Sequence, residues 1–253
     1  MSSAHYARIA DLYDSFVLTN IDIPFFLKEG QRANGSILEL MAGTGRVTLP
    51  LLEAGLPVTA VDYSPEMLGH LRQKLAARGL TAAVHTADIR QLDLGQRFRQ
   101  IILPFQAFPE LTTTADQQTA LERTHAHLAA DGEFICTLHN PGLRLRAVDG
   151  QLHLAGKLPI PGGERFIWLL QTYQPETRLV KVLEFFEDYD PHGQLTVKRF
   201  SEIQFHLLEQ AAFETLIAAA GFTIAHLYGD YAYAPFDPAT SPFLIYVLRR
   251  KTL

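Results

Sequence analysis

Residues 37–46 read Ile37-Leu-Glu-Leu-Met-Ala-Gly43-Thr-Gly45-Arg46, an apolar run, a Gly-x-Gly turn and the start of a helical pattern. Two glycines let the backbone turn sharply and let a ligand approach without meeting a Cβ. The helix start behind them offers unpaired N–H groups. Asp62 stands 19 residues after Gly43, at the end of the next apolar run, 57–61 (PVTAV). An acid there can accept hydrogen bonds from two ribose hydroxyls. Asp88 follows a third run, 80–85, where a carboxylate can take the amino group of an adenine.

The same alternation continues outward. A helix over 46–54 ends at Gly55. Ser64 caps another, with Pro65 at its first position and Met67, Leu68, Leu71 and Leu75 on one face, closed by Gly79. Further strands are read at 98–103 and 133–138 (EFICTL), with a helix over 115–129 ending at an Asp131-Gly132 turn. Strand and helix in strict alternation predict a doubly wound α/β fold, a mostly parallel sheet with helices on both faces. After Pro141 the pattern changes. Three long alternating strands, 166–174, 178–189 and 195–206, are separated by Pro175-Glu176 and by 190–193 (DPHG), which predicts an antiparallel meander. Helical periodicity returns at Phe213, Leu216, Ile217 and Ala220, closed by Gly221, and strands follow at 222–228 and 243–249. The expected organisation is a Rossmann-like core, 1–142 and 207–253, interrupted by an antiparallel β insertion, 143–206.

Composition bounds the function. The chain has 253 residues, 22 Lys+Arg against 27 Asp+Glu, a net charge of −5, and 47% hydrophobic residues. That is ordinary globular usage, and the acidic balance argues against a nucleic-acid holder, which needs a basic face. One cysteine, Cys136, excludes a disulfide framework and suggests a reducing compartment. The segment 1–14 carries early acids and no apolar signal region, and no apolar stretch approaches the ~20 residues of a membrane span. A cytoplasmic protein with no membrane partner is expected.

Two nucleoside cofactors suit the glycine turn. A dinucleotide site wants a third small residue, but Thr48 stands there. Glu39, inside the end of the first strand, would repel a pyrophosphate and suits a cationic amino-acid moiety. The electrostatics favour S-adenosylmethionine over NAD.

At this point the chain resembles the class I S-adenosylmethionine-dependent methyltransferases, in their bacterial small-molecule branch. The matching segments are LELMAGTGR (38–46), VDYSPEML (61–68), TADIRQLDL (86–94), ILPFQAF (102–108) and LAADGEFICTLHNP (128–141). The start, 6–14, resembles the family's YD helix, and AAGFTIAHLYGDYAYAPFDP (219–238) its closing helix and strands. The resemblance implies a seven-stranded sheet with an antiparallel last strand. It implies that Glu39, Met41, Ala42, Gly43 and Gly45 hold the methionine end of the cofactor and Asp62 the ribose. Tyr63 and Met67 would surround the adenine, Asp88 and Ile89 meet its edge, and Pro104, Phe105 and Gln106 line the sulfonium side. Met41, where the family usually has glycine, implies an ordinary backbone conformation there. Pro109-Glu110 stands where relatives often carry a histidine.

Methyl transfer needs a nucleophile held in line with the methyl group and, for a protonated acceptor, a base. Glu110 and His139 are the candidates; the bland alternatives are a helix-start acid and a histidine satisfying loop carbonyls. Tyr6 and Tyr13, on one helical face with Ile9 and Val17, either cover the cofactor or pack, and Tyr13 is counted with the cofactor residues. His125 and His127 point different ways on a helix and cannot chelate together. The loop 104–106 (PFQ) lacks the acid of the metal-dependent relatives, so no metal is expected. It also lacks the Asn/Asp-Pro-Pro-Tyr motif of base-modifying enzymes, so no nucleic acid is expected. Cys136 reads as a small core residue, and the run 184–190 as a strand with a solvated edge. The expected protein is a metal-independent methyltransferase acting on N or O of a small-molecule acceptor. The alternatives are a nicotinamide-dependent oxidoreductase and a non-catalytic S-adenosylmethionine-binding protein. One face of the insertion should need burial, over substrate or against a second copy in a homodimer.

Overall fold

The computed structural model describes residues 4–251. Two helices, α1 (Ala4–Phe16) and α2 (Ile23–Ala33), precede the alternating core. The core runs β1 (Ile37–Leu40), α3 (Thr48–Glu53), β2 (Val58–Asp62), α4 (Pro65–Ala77), β3 (Ala83–Thr86), β4 (Phe98–Leu103), α5 (Thr114–His127) and β5 (Leu128–His139). Next come α6 (Pro141–Arg146) and four long strands: β6 (Leu152–Ile160), β7 (Gly163–Gln174), β8 (Leu179–Tyr189) and β9 (Leu195–His206). The chain closes with α7 (Gln210–Ala219), β10 (Phe222–Tyr228) and β11 (Phe243–Arg250).

The main sheet has seven strands in the order β10-β11-β5-β4-β1-β2-β3. β1 pairs parallel with both β2 and β4, so the strand order reverses at β1. An open α/β sheet binds its ligands at the carboxyl side of such a switch point. β11 runs antiparallel to β5 and β10, as the resemblance implied. Every residue of β1 and β2 is buried, as expected for strands covered on both faces. One face carries Leu38, Leu40, Ile101, Leu103 and Phe134 against Leu121 of α5 and Phe213 of α7. The other carries Ile37, Ile102, Ile135 and Ile245 against Phe25 and Phe26 of α2. In α4 the Ser64 hydroxyl accepts the Met67 N–H at 3.2 Å, the cap its sequence calls for.

Several expectations need correction. The insertion has four strands: β6 was not read because Gly156, Lys157 and Pro159 break its alternation. The run 184–190 is no solvated edge, because β8 is an inner strand hydrogen-bonded to β7 and β9. Asp131-Gly132 ends no helix. α5 stops at His127, and 129–132 bulge out of β5 between the pairs Phe98↔Leu128 and Gln100↔Glu133. α2 and α6 were not read at all, since neither sits between two strands of the alternation.

The inner face of the four-stranded sheet packs on α1, with Ile167 and Phe186 against Ile9 and Leu12. The outer face leaves Leu152, Leu154 and Phe200 about half exposed, at 54%, 50% and 52%.

Gly45 has φ +88, and a Cβ there would lie 2.3 Å from Cδ1 of the fully buried Leu71. Gly45→Ala combines left-handed strain with overpacking and should cost about 2–3 kcal/mol. Gly55→Ala, at φ +78 with open space around it, should cost only about 1 kcal/mol. Thermal denaturation of the two variants measures the difference, and equal losses would remove the packing contribution.

Candidate active site

The loop after β1 is wound by three residues with positive φ: Met41 (+56), Gly43 (+57) and Gly45 (+88). The expectation of an ordinary backbone at Met41 is therefore wrong. The path of the turn is set by the Ala42 N–H, which donates to Val61 O at 2.9 Å, and by Gly45 N–H donating to Ala42 O at 3.0 Å. Met41 adopts the left-handed conformation that this path demands, at a cost of about 1–2 kcal/mol. Asp62 stands at the end of β2 with 6% of its surface exposed. Its Oδ2 accepts the Gly43 N–H and its Oδ1 the Ser64 N–H, both at 2.8 Å. Burial pushes its pKa up, and these backbone donors pull it back.

A cavity with about 560 Å³ of empty space, open solvent at its mouth included, lies above this loop at the carboxyl ends of β1, β2 and β4. Its floor is Glu39, Met41, Ala42, Gly43 and Asp62, and Tyr63 and Met67 flank it from the β2–α4 side. Pro104 and Phe105 close the β4 side, and Tyr13 lies across the top with Tyr6. All of these except Tyr6 are among the residues the sequence assigned to the cofactor. Four of that set do not line the cavity. Gly45 packs on Leu71, and Ile89 is 3% exposed in the core. Asp88 caps the turn 89–91 and is held by the Arg90 guanidinium, which keeps its carboxyl below the usual range. Gln106 turns away, its Nε2 donating to Tyr231 Oη at 3.0 Å. Thr44, Arg46, Val47 and Ala107 line the cavity without having been singled out, although each adjoins a residue that was.

Charge in the cavity is unbalanced. Glu39 is 1% exposed and accepts the Thr48 hydroxyl at 2.6 Å; burial pushes its pKa up to about 8. Thr48 thus fills the space a third small residue would have left. Arg46 lines the wall but is committed elsewhere. Its two Nη atoms donate to the Asp22 carboxylate at 2.6 Å each, and its guanidinium lies 4.6 Å from the Phe105 ring centre. Glu110, in the short turn 108–110, accepts the Tyr6 hydroxyl at 2.7 Å, and burial raises its pKa to about 7. Asp62 and Glu184 push Glu110 the same way.

The other base candidate lies apart. His139, at the end of β5, does not line the cavity, and burial with the nearby Arg144 pushes its pKa down to about 4. α1 is latched over the glycine loop by Asp14, which accepts the Thr44 hydroxyl at 2.6 Å and pairs with Lys74.

Glu39, Glu110 and Glu184 all have folded pKa values, about 8, 7 and 7, above the unfolded carboxyl value. Their contribution to stability is complete below about pH 4.5 and is lost as pH rises through 7 to 8. The thermal midpoint of the ligand-free protein should fall between about pH 5.5 and 8.5, and Glu39→Gln should flatten the slope. A midpoint that rises over this interval would contradict the burial of these groups.

Comparison with known proteins places this geometry. Residues 37–132 match the methyltransferase domain family. An aminosugar relative from Streptomyces fradiae, dTDP-3-amino-3,6-dideoxy-alpha-D-glucopyranose N,N-dimethyltransferase, is 28% identical over 136 residues, 51% of this chain and 52% of the relative. The glycine/sarcosine/dimethylglycine N-methyltransferase of Actinopolyspora halophila is 33% identical over 121 residues, 46% of this chain and 21% of the relative. The chain thus spans about half the length of the first of these relatives, and less of the second. The CcbJ methyltransferase of Streptomyces caelestis superposes over the whole of both chains with a TM-score of 0.85 at 22% identity. CalS10, an amino pentose methyltransferase of Micromonospora echinaspora solved with S-adenosylmethionine bound, superposes over 95% of this chain and 96% of its own with a TM-score of 0.72 at 20% identity. Residues 37–132 match a methyltransferase domain, and the chain as a whole shares the fold of these methyltransferase structures.

Proposed function

We propose that this chain transfers a methyl group from S-adenosylmethionine to the nitrogen of a small-molecule amine. One observation carries the reading: a single cavity joins the glycine loop and Asp62 to the buried Glu110 held by Tyr6.

The residues present fit the cofactor. Where a Cβ on Gly43 would sit, the nearest atom is Met67 Cε at 3.5 Å, so the loop leaves its backbone open to a ligand. Asp62 retains lone pairs beyond its backbone bonds for ribose hydroxyls. The Glu39 carboxyl makes no ion pair among the described residues and suits the ammonium of the methionine moiety. Tyr63 and Met67 would flank the adenine; Asp88 could share in its recognition only with lone pairs that Arg90 leaves. When bound, S-adenosylmethionine supplies a sulfonium-borne methyl group open to in-line attack by an amine lone pair.

The protein's own part is positioning, charge and proton removal. Glu39, Asp62 and Glu110 make the cavity acidic, while Arg46, the one lining cation among the described residues, is neutralised by Asp22. An ammonium is therefore drawn in, and a carboxyl with a pKa near 7 is matched to take its proton at neutral pH. Tyr6 orients Glu110 by donating to Oε1, and Tyr13 and Tyr63 set their rings edge-on to Tyr6 at 6.3 Å each, excluding water. The amine relatives named above support nitrogen over oxygen. The insertion, 143–206, would bound the acceptor side through its packing on α1 and through Glu184.

Glu110→Gln should lower the methylation rate by about 10²–10⁴ and leave S-adenosylhomocysteine affinity unchanged. In the native protein the rate should rise with pH through about 7, the value of Glu110, and the variant should lose that rise. A variant that keeps native turnover and pH profile removes Glu110 as the base. A second measurement concerns Glu39: a bound ammonium lowers its pKa from about 8, so cofactor binding should release protons and tighten with pH up to that value. Calorimetry in buffers of different ionisation enthalpy detects the release, and Glu39→Gln should abolish it.

A further inference from the structure

The insertion carries a second cavity, with about 1070 Å³ of empty space, open solvent included, at the end of the sheet that bears the β6–β7 and β8–β9 turns. Its walls are the rings of Phe166, Trp168 and Tyr189 and the acids Glu164 and Asp190. None of these residues lines the cavity over the glycine loop. Phe166 and Trp168 alternate along β7 with Ile167, which packs inward on α1, and Tyr189 lies opposite Glu164. The three rings therefore stand on the outer face of the sheet.

Their polar ends are tied down. Glu187, opposite Phe166, accepts the Trp168 indole N–H at 3.0 Å and the Tyr189 hydroxyl at 3.1 Å on the same oxygen. Its other oxygen accepts from the Lys198 ammonium at 2.7 Å. The Phe166 and Trp168 planes lie 16° apart with centres 6.4 Å apart, and Tyr189 meets Phe166 edge-on at 5.3 Å. Two near-parallel rings and one across them make a fixed aromatic corner.

Charge and hydrogen bonding define what this corner takes. Three carboxylates, Glu164, Glu187 and Asp190, meet two ammoniums, Lys157 and Lys198, so the rings sit in net negative charge. Among the described residues no lysine or arginine lines the cavity itself. The chain's own Lys157 Nζ already lies 5.3 Å from the Phe166 ring centre, the geometry of a cation on an aromatic face. The acceptors, however, are engaged. Glu187 holds the two rings and Lys198, Glu164 pairs with Lys157 at 2.9 Å, and Asp190 Oδ1 accepts the N–H groups of His192 and Gln194. The site offers a cation field and apolar surface, with few free partners for N–H donors.

We propose that this aromatic corner binds a quaternary ammonium ion, a cation with no N–H donor and with its charge spread over alkyl groups. The ring faces carry the negative part of the aromatic quadrupole, and the alkyl groups pack on those same faces. The site is separate from the amine-methylation reading and stands without it.

Trp168 is the only tryptophan of the chain, so its fluorescence reports this cavity directly. Ligand-free protein is titrated with tetramethylammonium chloride, with sodium chloride at matched ionic strength as the control, and calorimetry repeats the titration. Native protein should give a saturable response to tetramethylammonium and none to sodium. Phe166→Leu should weaken binding about threefold, and so should Asp190→Asn, which keeps an oxygen for the turn and removes one charge. Lys157→Met takes the chain's own cation off Phe166 and Glu164 and should tighten binding by about the same factor. No saturable response by either method, or an equal response to sodium, overturns the site. A response that Phe166→Leu and Asp190→Asn both leave unchanged also overturns it, and assigns the binding to the acidic cavity over the glycine loop. A saturable response to methyl glucoside without one to tetramethylammonium overturns the cation and makes the rings a sugar platform.

Discussion

The Asp62 carboxylate holds the site together. With one oxygen on the Gly43 N–H and the other on the Ser64 N–H, it ties the loop after β1 to the loop after β2. Each such bond to a charged group contributes about 1.5–3 kcal/mol, enough to keep an almost fully buried acid in place. The bonds also fix the glycine loop in the left-handed turns that Met41, Gly43 and Gly45 adopt. A floor of backbone N–H groups and one carboxylate results, open upward because Gly43 carries no side chain.

The second constraint is the double duty of α1. This helix lays Tyr6 and Tyr13 along the cavity and packs Ile9 and Leu12 on Ile167 and Phe186 of the insertion, with the two tyrosines against the same cluster. Asp14 latches it to Thr44 and Lys74, and Asp11 pairs with Arg199 of β9. The core and the insertion therefore meet through a helix that is also a wall of the site. Any ligand that enters beneath Tyr6 and Tyr13 works against contacts shared by both sheets.

Electrostatics gives the cavity its character. Glu39, Asp62 and Glu110 line one cavity, and burial raises all three carboxyl pKa values. Like charges in a low-dielectric site cannot all ionise without a cation, which is why the pocket favours positively charged ligands. Arg46 lines the same cavity, but Asp22 claims both its Nη atoms.

Local patterns carried the doubly wound core. Alternating apolar runs and amphipathic helices, Ser64 and Pro65 at a helix start, and glycines at helix ends act over a few residues, so they can be read without knowing the fold. The same holds for the glycine loop and Asp62, whose spacing is dictated by one βαβ unit. Other features depend on distant partners. Met41 turns left-handed because Val61 accepts the next N–H; β6 exists because β7 offers it an edge; Asp88 is drawn from the cavity by Arg90, and His139 is sealed off by burial. Glu110 meets Tyr6 across 104 residues of chain, and its near-neutral pKa comes from that burial and from charges on other elements. Periodicity and spacing report local geometry; desolvation and long-range pairing arise only when the chain is closed on itself.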